Sequence, residues 1–271
     1  MNSRSAGFTL LELLVAASLM AMVVGGMVAL ITTALAGWNK YVGEMALTMQ
    51  AEAAFDLLEA DLAGLRFRSA TGEGLVVVEI LEEREVVDQR IALHFFSDSA
   101  GPIEDAGSLR RVLWTAQMDP GDSPFIDDAI PSLFRQTAPP EETSAALQNN
   151  PFGTPASDLG DGYLLADCLV FRIEIWGCLN DGSFVQLFPQ PGAGHHASGD
   201  LLRFPFAVSP GEPWSTPCYM DVFLGLLTER TSDLLRARRQ FASPSDGEEE
   251  RWIAENLVMF TRRIPLQTGR F

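Results

Sequence analysis

The sequence predicts an α+β protein in which one long N-terminal helix precedes an antiparallel β-sheet. Three observations carry that expectation. Residues 13–39 hold no charge, and about 20 apolar residues at 1.5 Å rise cross a hydrocarbon core. Leu47, Ala51, Ala54, Phe55, Leu58, Leu62 and Leu65 then recur at three- and four-residue spacing, the period of an amphipathic helix with one face on a core. From Ser69 onward, short β-branched or aromatic runs are bounded by Gly, Asp and Pro, which is the pattern of strands.

The first element begins with a polar leader ending at Gly7 and carries a lone carboxylate, Glu12, within its apolar run. An ionised carboxylate in a membrane-length helix costs about 2.5 to 3.5 kcal/mol on insertion scales, so its presence asks for a partner, and the obvious partner is an amine. Thr9 and Glu12 also have the spacing of a capping box, which gives the acid a local role. Arg4 and the initial amine precede the run, while Lys40 and an acidic body follow it. The positive-inside tendency therefore places the N-terminus in the cytoplasm. Ala34-Leu35-Ala36 offers a small-residue exit for a cleavable secretory signal, but such signals have apolar regions of roughly 7 to 15 residues. A plain signal anchor explains the length and leaves Glu12 unexplained.

Gly7-Phe8-Thr9-Leu10-Leu11-Glu12-Leu13 followed by this apolar stretch resembles the signal of type IV prepilins and type II secretion pseudopilins. The resemblance implies cleavage after Gly7 by a membrane-embedded prepilin peptidase and methylation of the new N-terminal Phe8. Glu12 is then the fifth mature residue, whose carboxylate in that family meets the free amine of a neighbouring subunit during assembly. Two charges that are each costly in lipid become tolerable when they pair at low dielectric.

Glu44, Glu52, Asp56 and Glu59 fall outside the apolar stripe, and helix is expected to about Arg66. The whole element would be on the order of 85 Å long. Gly25-Gly26 weakens its middle, a place for a local bend or partial melting, since glycine costs about 0.8 to 1 kcal/mol relative to alanine. Strands are expected at Leu75–Ile80, Arg90–Phe96, Arg110–Thr115, Cys168–Trp176, Ser183–Phe188 and Tyr219–Leu227, with a turn at Asn180-Asp181-Gly182. Leu169, Phe171, Ile173 and Ile175 share one face of their strand, Arg172 and Glu174 the other.

Residues 116–162 are rich in Pro, Asp, Ser and Asn and read as a long surface loop, as does Pro189–Pro217. Arg236–Arg239 form a short basic patch, Glu248 to Met259 a short helix, and Phe260–Leu266 a last strand. The expected organisation is a leader at 1–7, a transmembrane and assembly helix at 8–37, its amphipathic continuation at 38–67 and a periplasmic β-rich domain at 68–271. The order of elements, with the Phe171-x-Ile173-x-Ile175-Trp176 strand, is also similar to the larger minor pseudopilins, especially the J-type subunit.

A chain of 271 residues with 47% hydrophobic content can bury one sizeable core beyond its membrane helix. Removing the leader deletes Arg4 and no acid, taking the formal charge from −17 to −18, which disfavours nucleic acid as a partner. The local patch at Arg236, Arg238 and Arg239 reads as a solvated element end. Three cysteines allow at most one internal bridge. Cys168 and Cys178 on one extended strand stand about 33 Å apart, too far to bond. Cys218 with either remains open, as do three small buried thiols.

No catalytic motif stands out. Gly192-Ala193-Gly194-His195-His196-Ala197 lacks the strand and helix a dinucleotide loop needs. His195, His196 and Asp200 read as a solvated loop rather than a metal site. Lys40 is the only lysine, so a lysine base beyond the membrane helix is excluded. Asp158-Leu159-Gly160-Asp161-Gly162 and Asp119-Pro120-Gly121-Asp122 are oxygen-rich turns with calcium as a candidate ligand, as in some pseudopilins, although their spacing is not that of an EF-hand and ordinary Asx turns explain them.

The expectation is thus a subunit without enzyme activity or cofactor. Its partners would be prepilin peptidase, the membrane and other pseudopilins or pilins, in the inner membrane and then a filament. A minor type IV pilin is the alternative within that class; a signal-anchored periplasmic binding module or hydrolase is the alternative outside it.

Overall fold

The computed structural model describes residues 9–66, 76–84, 88–98, 108–117, 130–139, 143, 163–179, 181–188, 201–204, 216–242 and 246–266. The chain divides into two compact units, Met1–Ala46 and Leu47–Phe271. Helix α1 (Leu10–Ala63) begins in the first and ends in the second.

In the first unit α1 passes Gly25-Gly26 without interruption. No proline occurs in it to remove a backbone donor. Its few polar side chains bond inward: Ser18 Oγ donates to the Val15 carbonyl at 2.8 Å, Thr33 Oγ1 to Ala29 at 2.9 Å, and Thr32 Oγ1 to Val28 at 3.0 Å. Those hydroxyls therefore need no water.

In the second unit the final turns of α1 bury Leu47, Ala51, Ala54, Phe55, Leu58 and Leu62, the stripe expected from sequence. Helix stops at Ala63, earlier than Arg66, because Leu65–Arg66 turn into β1 and pair with β3. The sheet comprises β2 (Val76–Arg84), β3 (Asp88–Ser97), β4 (Arg110–Gln117), β5 (Ser132–Thr137), β6 (Tyr163–Cys178), β7 (Phe184–Phe188), β8 (Leu201–Phe204), β9 (Thr216–Leu226) and β10 (Val258–Pro265). Strands run in the order β10-β9-β6-β5-β4-β3-β2-β8, with β1 on β3 and β7 on β6. Pairing is antiparallel except for one parallel pair between Arg90 and Phe171.

The 16-residue β6 is the spine. Tyr163–Asp167 pair with β5 and Cys168–Cys178 with β9, while Ile175–Cys178 also pair with β7. Phe171, Ile173 and Ile175 enter the main core beside Phe55, Leu58 and Trp114. Leu169 does not share their face as the alternation suggested. A register shift between Cys168 and Val170 turns it into a second core with Ile130, Leu227, Leu235 and Ile253. One extra residue in a bulge inverts the alternation, which no count of spacing reveals. At the same place Gly225 faces Val170: an added Cβ would stand 2.8 Å from Val170 Cβ, so only glycine lets β9 approach β6.

Two expected loops contain structure. β5 lies within the stretch read as a loop at 116–162; its Arg135 and Gln136 are buried polar residues, so apolar alternation is missing from it. β8 lies within Pro189–Pro217. The basic patch falls on helix α2 (Glu229–Ala242), and α3 (Asp246–Asn256) ends before Met259 because β10 begins at Val258. In the β6–β7 hairpin Gly182 takes a φ of 82°, and Asp181 Oδ1 accepts from the Ser183 amide at 2.9 Å; Asn180 lies outside the described residues.

Asp61 is the exception on the buried stripe of α1, at 2% exposure. Arg135 on β5 grips it with two bonds, Nε to Oδ2 and Nη2 to Oδ1, each 2.7 Å. Trp114 Nε1 on β4 donates to Oδ2 at 2.9 Å, and Ser97 Oγ donates to the Asp61 carbonyl at 2.5 Å. On the exposed flank of α1, Arg262 of β10 pairs with Asp56 at 2.5 Å and with Glu52, beneath the Phe55 ring. Replacing Asp61 by Ala strands a buried guanidinium and should lower stability by about 3 to 5 kcal/mol. Arg262→Ala, whose acids are exposed, should cost roughly 1 kcal/mol. Urea unfolding of the full chain in detergent compares them; equal losses would mean the buried pair has no special weight.

Candidate functional site

The candidate site is the start of α1. Gly7 and Phe8 lie outside the described residues. Thr9 and Glu12 form the expected capping box: the Thr9 amide donates to Glu12 Oε2 at 3.0 Å and the Glu12 amide to Thr9 Oγ1 at 3.3 Å. Thr9 Oγ1 also donates to Glu12 Oε2 at 3.0 Å. One carboxylate oxygen thus holds the helix start, and the same acid keeps Oε1 for another donor.

Along the first unit Leu10, Leu14, Met20, Val24, Leu30 and Leu35 are all more than half exposed. So long an apolar surface is unfavourable in water, at roughly 25 cal/mol per Å², and asks for lipid or other helices. By length and composition this is the one helix among the described residues able to cross a membrane. Its first charged residue after Glu12 is Lys40, which pairs with Glu44 at 3.8 Å.

Elsewhere the described residues contain no group of three or more His, Cys, Asp or Glu arranged to hold a metal ion. The turns at Asp119–Asp122 and Asp158–Gly162, and the residues His195, His196 and Asp200, lie outside the described residues. In the basic patch, Arg236 pairs with Asp167 at 3.0 Å and Arg239 with Glu249 at 2.8 Å. Those two guanidiniums join α2 to β6 and to α3. The helix itself escaped sequence reading, although Thr228 caps it by accepting from the Thr231 amide at 3.2 Å, a Thr-x-x-Thr signal visible in the sequence.

Residues 2–32 match the family model of the prokaryotic N-terminal methylation motif. That match, on a long apolar helix followed by an antiparallel sheet, supports a protein of the type IV prepilin and pseudopilin type. Proteins with this motif are structural in general, are processed by prepilin peptidase and assemble with other pilins. No curated protein and no solved structure matches the chain.

Thr9→Ala should remove both side-chain bonds of the box and loosen the first turn by about 1 kcal/mol. Amide exchange at residues 10–12 in micelles should speed up roughly fivefold while residues 20–30 stay unchanged. Unaltered exchange would show the box is not what holds the helix start.

Proposed function

We propose that the chain is a non-catalytic minor pseudopilin, of the J-type, in a type II secretion-like filament. Prepilin peptidase cuts after Gly7, Phe8 becomes the methylated N-terminus, and the domain after the helix lies in the periplasm. The observation that carries this reading is a single carboxylate, Glu12, five residues into the mature chain and followed by an uncharged membrane-length helix. Its Oε2 is occupied by Thr9, so a neighbouring amine would join a carboxylate already oriented by its own helix. The size of the unit from Leu47 to Phe271 favours a minor component, because long insertions pack poorly at every position of a helical fibre. A minor type IV pilin shares the same motif, and disruption of the chain separates them: loss of protein secretion supports the pseudopilin, loss of surface pili the pilin.

Mass spectrometry of the native protein should find methylated Phe8 at its N-terminus. An intact Met1 would indicate a simple anchor, and an N-terminus at Gly37 a secreted domain. Glu12→Ala should leave cleavage intact but lower co-purification with other filament subunits roughly tenfold or more, given the cost of an unpaired charge in lipid. Normal incorporation of that variant would overturn the role assigned to the carboxylate.

A further inference from the structure

The three thiols are not equivalent. Cys168 is fully buried, donates to the Val170 carbonyl at 3.0 Å, and burial pushes its pKa up to about 12. Cys178 and Cys218 are half-buried and stand on adjacent strands, at the end of β6 and near the start of β9. The ladder pairs Cys178 with Thr216, Gly177 with Pro217 and Trp176 with Tyr219. Cys218 is therefore the extra residue where the register shifts between Trp176 and Gly177. Its Sγ donates to the Trp176 carbonyl at 3.2 Å, two residues before Cys178, whose own Sγ bonds the Leu179 carbonyl at 3.5 Å.

Adjacent strands lie about 4.8 Å apart, and regular diagonal neighbours at about 7 to 8 Å sit just outside the roughly 4.4 to 6.8 Å between Cα atoms that a disulfide takes, so the register shift at Cys218 has to supply the approach. A bulge places its additional residue alongside the strand opposite rather than further along it. The Cys218 thiol is raised first by burial and then by the nearby Cys178. That influence on Cys218 is a second sign that the two sulfurs are neighbours. Cys168, ten residues earlier on the extended β6, is out of reach of Cys178.

We propose that Cys178 and Cys218 close a disulfide in the working protein, tying β9 to the end of β6 and enclosing residues 179–217. The proposal rests on the periplasmic placement above, since thiols stay reduced in the cytosol. The oxidant is a disulfide-bearing thiol oxidase or small-molecule disulfide. One cysteine thiolate attacks its S–S bond and expels a thiolate. The second cysteine thiolate then attacks the mixed disulfide and expels the other. Two electrons and two protons pass to the oxidant, which leaves as a dithiol.

The test uses the full-length protein in detergent, reduced and then treated with oxidised glutathione. Its intact mass should fall by two hydrogens, and non-reducing tryptic digestion should join peptide 173–203 to peptide 204–230, with Cys168 left free on peptide 136–172. Cys168→Ser should keep the link; Cys178→Ser and Cys218→Ser should each lose it. The oxidised protein should melt roughly 5 to 10 °C above the Cys218→Ser variant, from the loop closed in the unfolded chain. Protein alkylated with N-ethylmaleimide in intact cells should carry the same link. Failure to form it with glutathione, a link through Cys168, or alkylation of both Cys178 and Cys218 in cells would overturn the proposal. The N-terminus, read from the same sample, reports separately on the function: methylated Phe8 upholds that reading even without the link, and intact Met1 removes it even with the link.

Discussion

The globular unit depends on the buried ion pair between Asp61 and Arg135. Asp61 sits near the C-terminal end of α1, where the helix dipole disfavours a negative charge, and 2% exposure denies it water. The two-point grip of Arg135 and the indole of Trp114 make that position tolerable. Satisfying the acid fixes helix to sheet at one angle and height, because a carboxylate held by two parallel bonds leaves little freedom. The apolar stripe from Leu47 to Leu62 supplies most of the favourable burial but, being non-directional, does not select that registration. Arg262, on the solvent side with Glu52 and Asp56, adds a weaker outer contact.

The first unit obeys a different rule. Its side chains are mostly apolar and exposed, its hydroxyls turn back onto their own carbonyls, and its single early acid is partly satisfied by Thr9. The hydroxyls of Ser18, Thr32 and Thr33 are thereby prepared for surroundings without water. Among the described residues of this unit, charge enters where it is locally bonded, at Glu12 and again at Lys40 with Glu44. The same helix therefore faces two environments, and the composition of its two parts follows from that.

Much of this was legible in the residues. The uncharged run, the capping box and the spacing of Leu47, Ala51, Ala54 and Leu58 specified the helix, because each signal is local and periodic. Most strands were legible as well, since Val76–Ile80 or Phe171–Ile175 combine β-branching with alternation. What escaped depends on contacts far apart in sequence. β5 carries buried polar residues beside Leu133 and Phe134, and one of them, Arg135, finds its partner Asp61 74 positions earlier, so its pattern reads as loop. Asp61 itself was a visible signal, an acid at helical spacing from Leu58 and Ala54 on the apolar stripe. Leu169 escaped because a bulge shifts the alternation by one, and α2 because its charges are neutralised by β6 and α3 rather than by its own sequence. At the candidate site, Thr9 and Glu12 were readable to the hydrogen bond.

The distance between Asp61 and Arg135 has a temporal side. At roughly 5 to 20 residues per second of synthesis, the acid is made about 4 to 15 seconds before its counter-ion, 74 residues later. Throughout that interval the lower part of the helix exists with a lone carboxylate on its greasiest side and no sheet to meet it. A nascent chain tethered early by its leading segment waits for the middle of its own sequence, and ribosome pausing within residues 62–135 would prolong the period in which that unsheltered face meets chaperones or proteases.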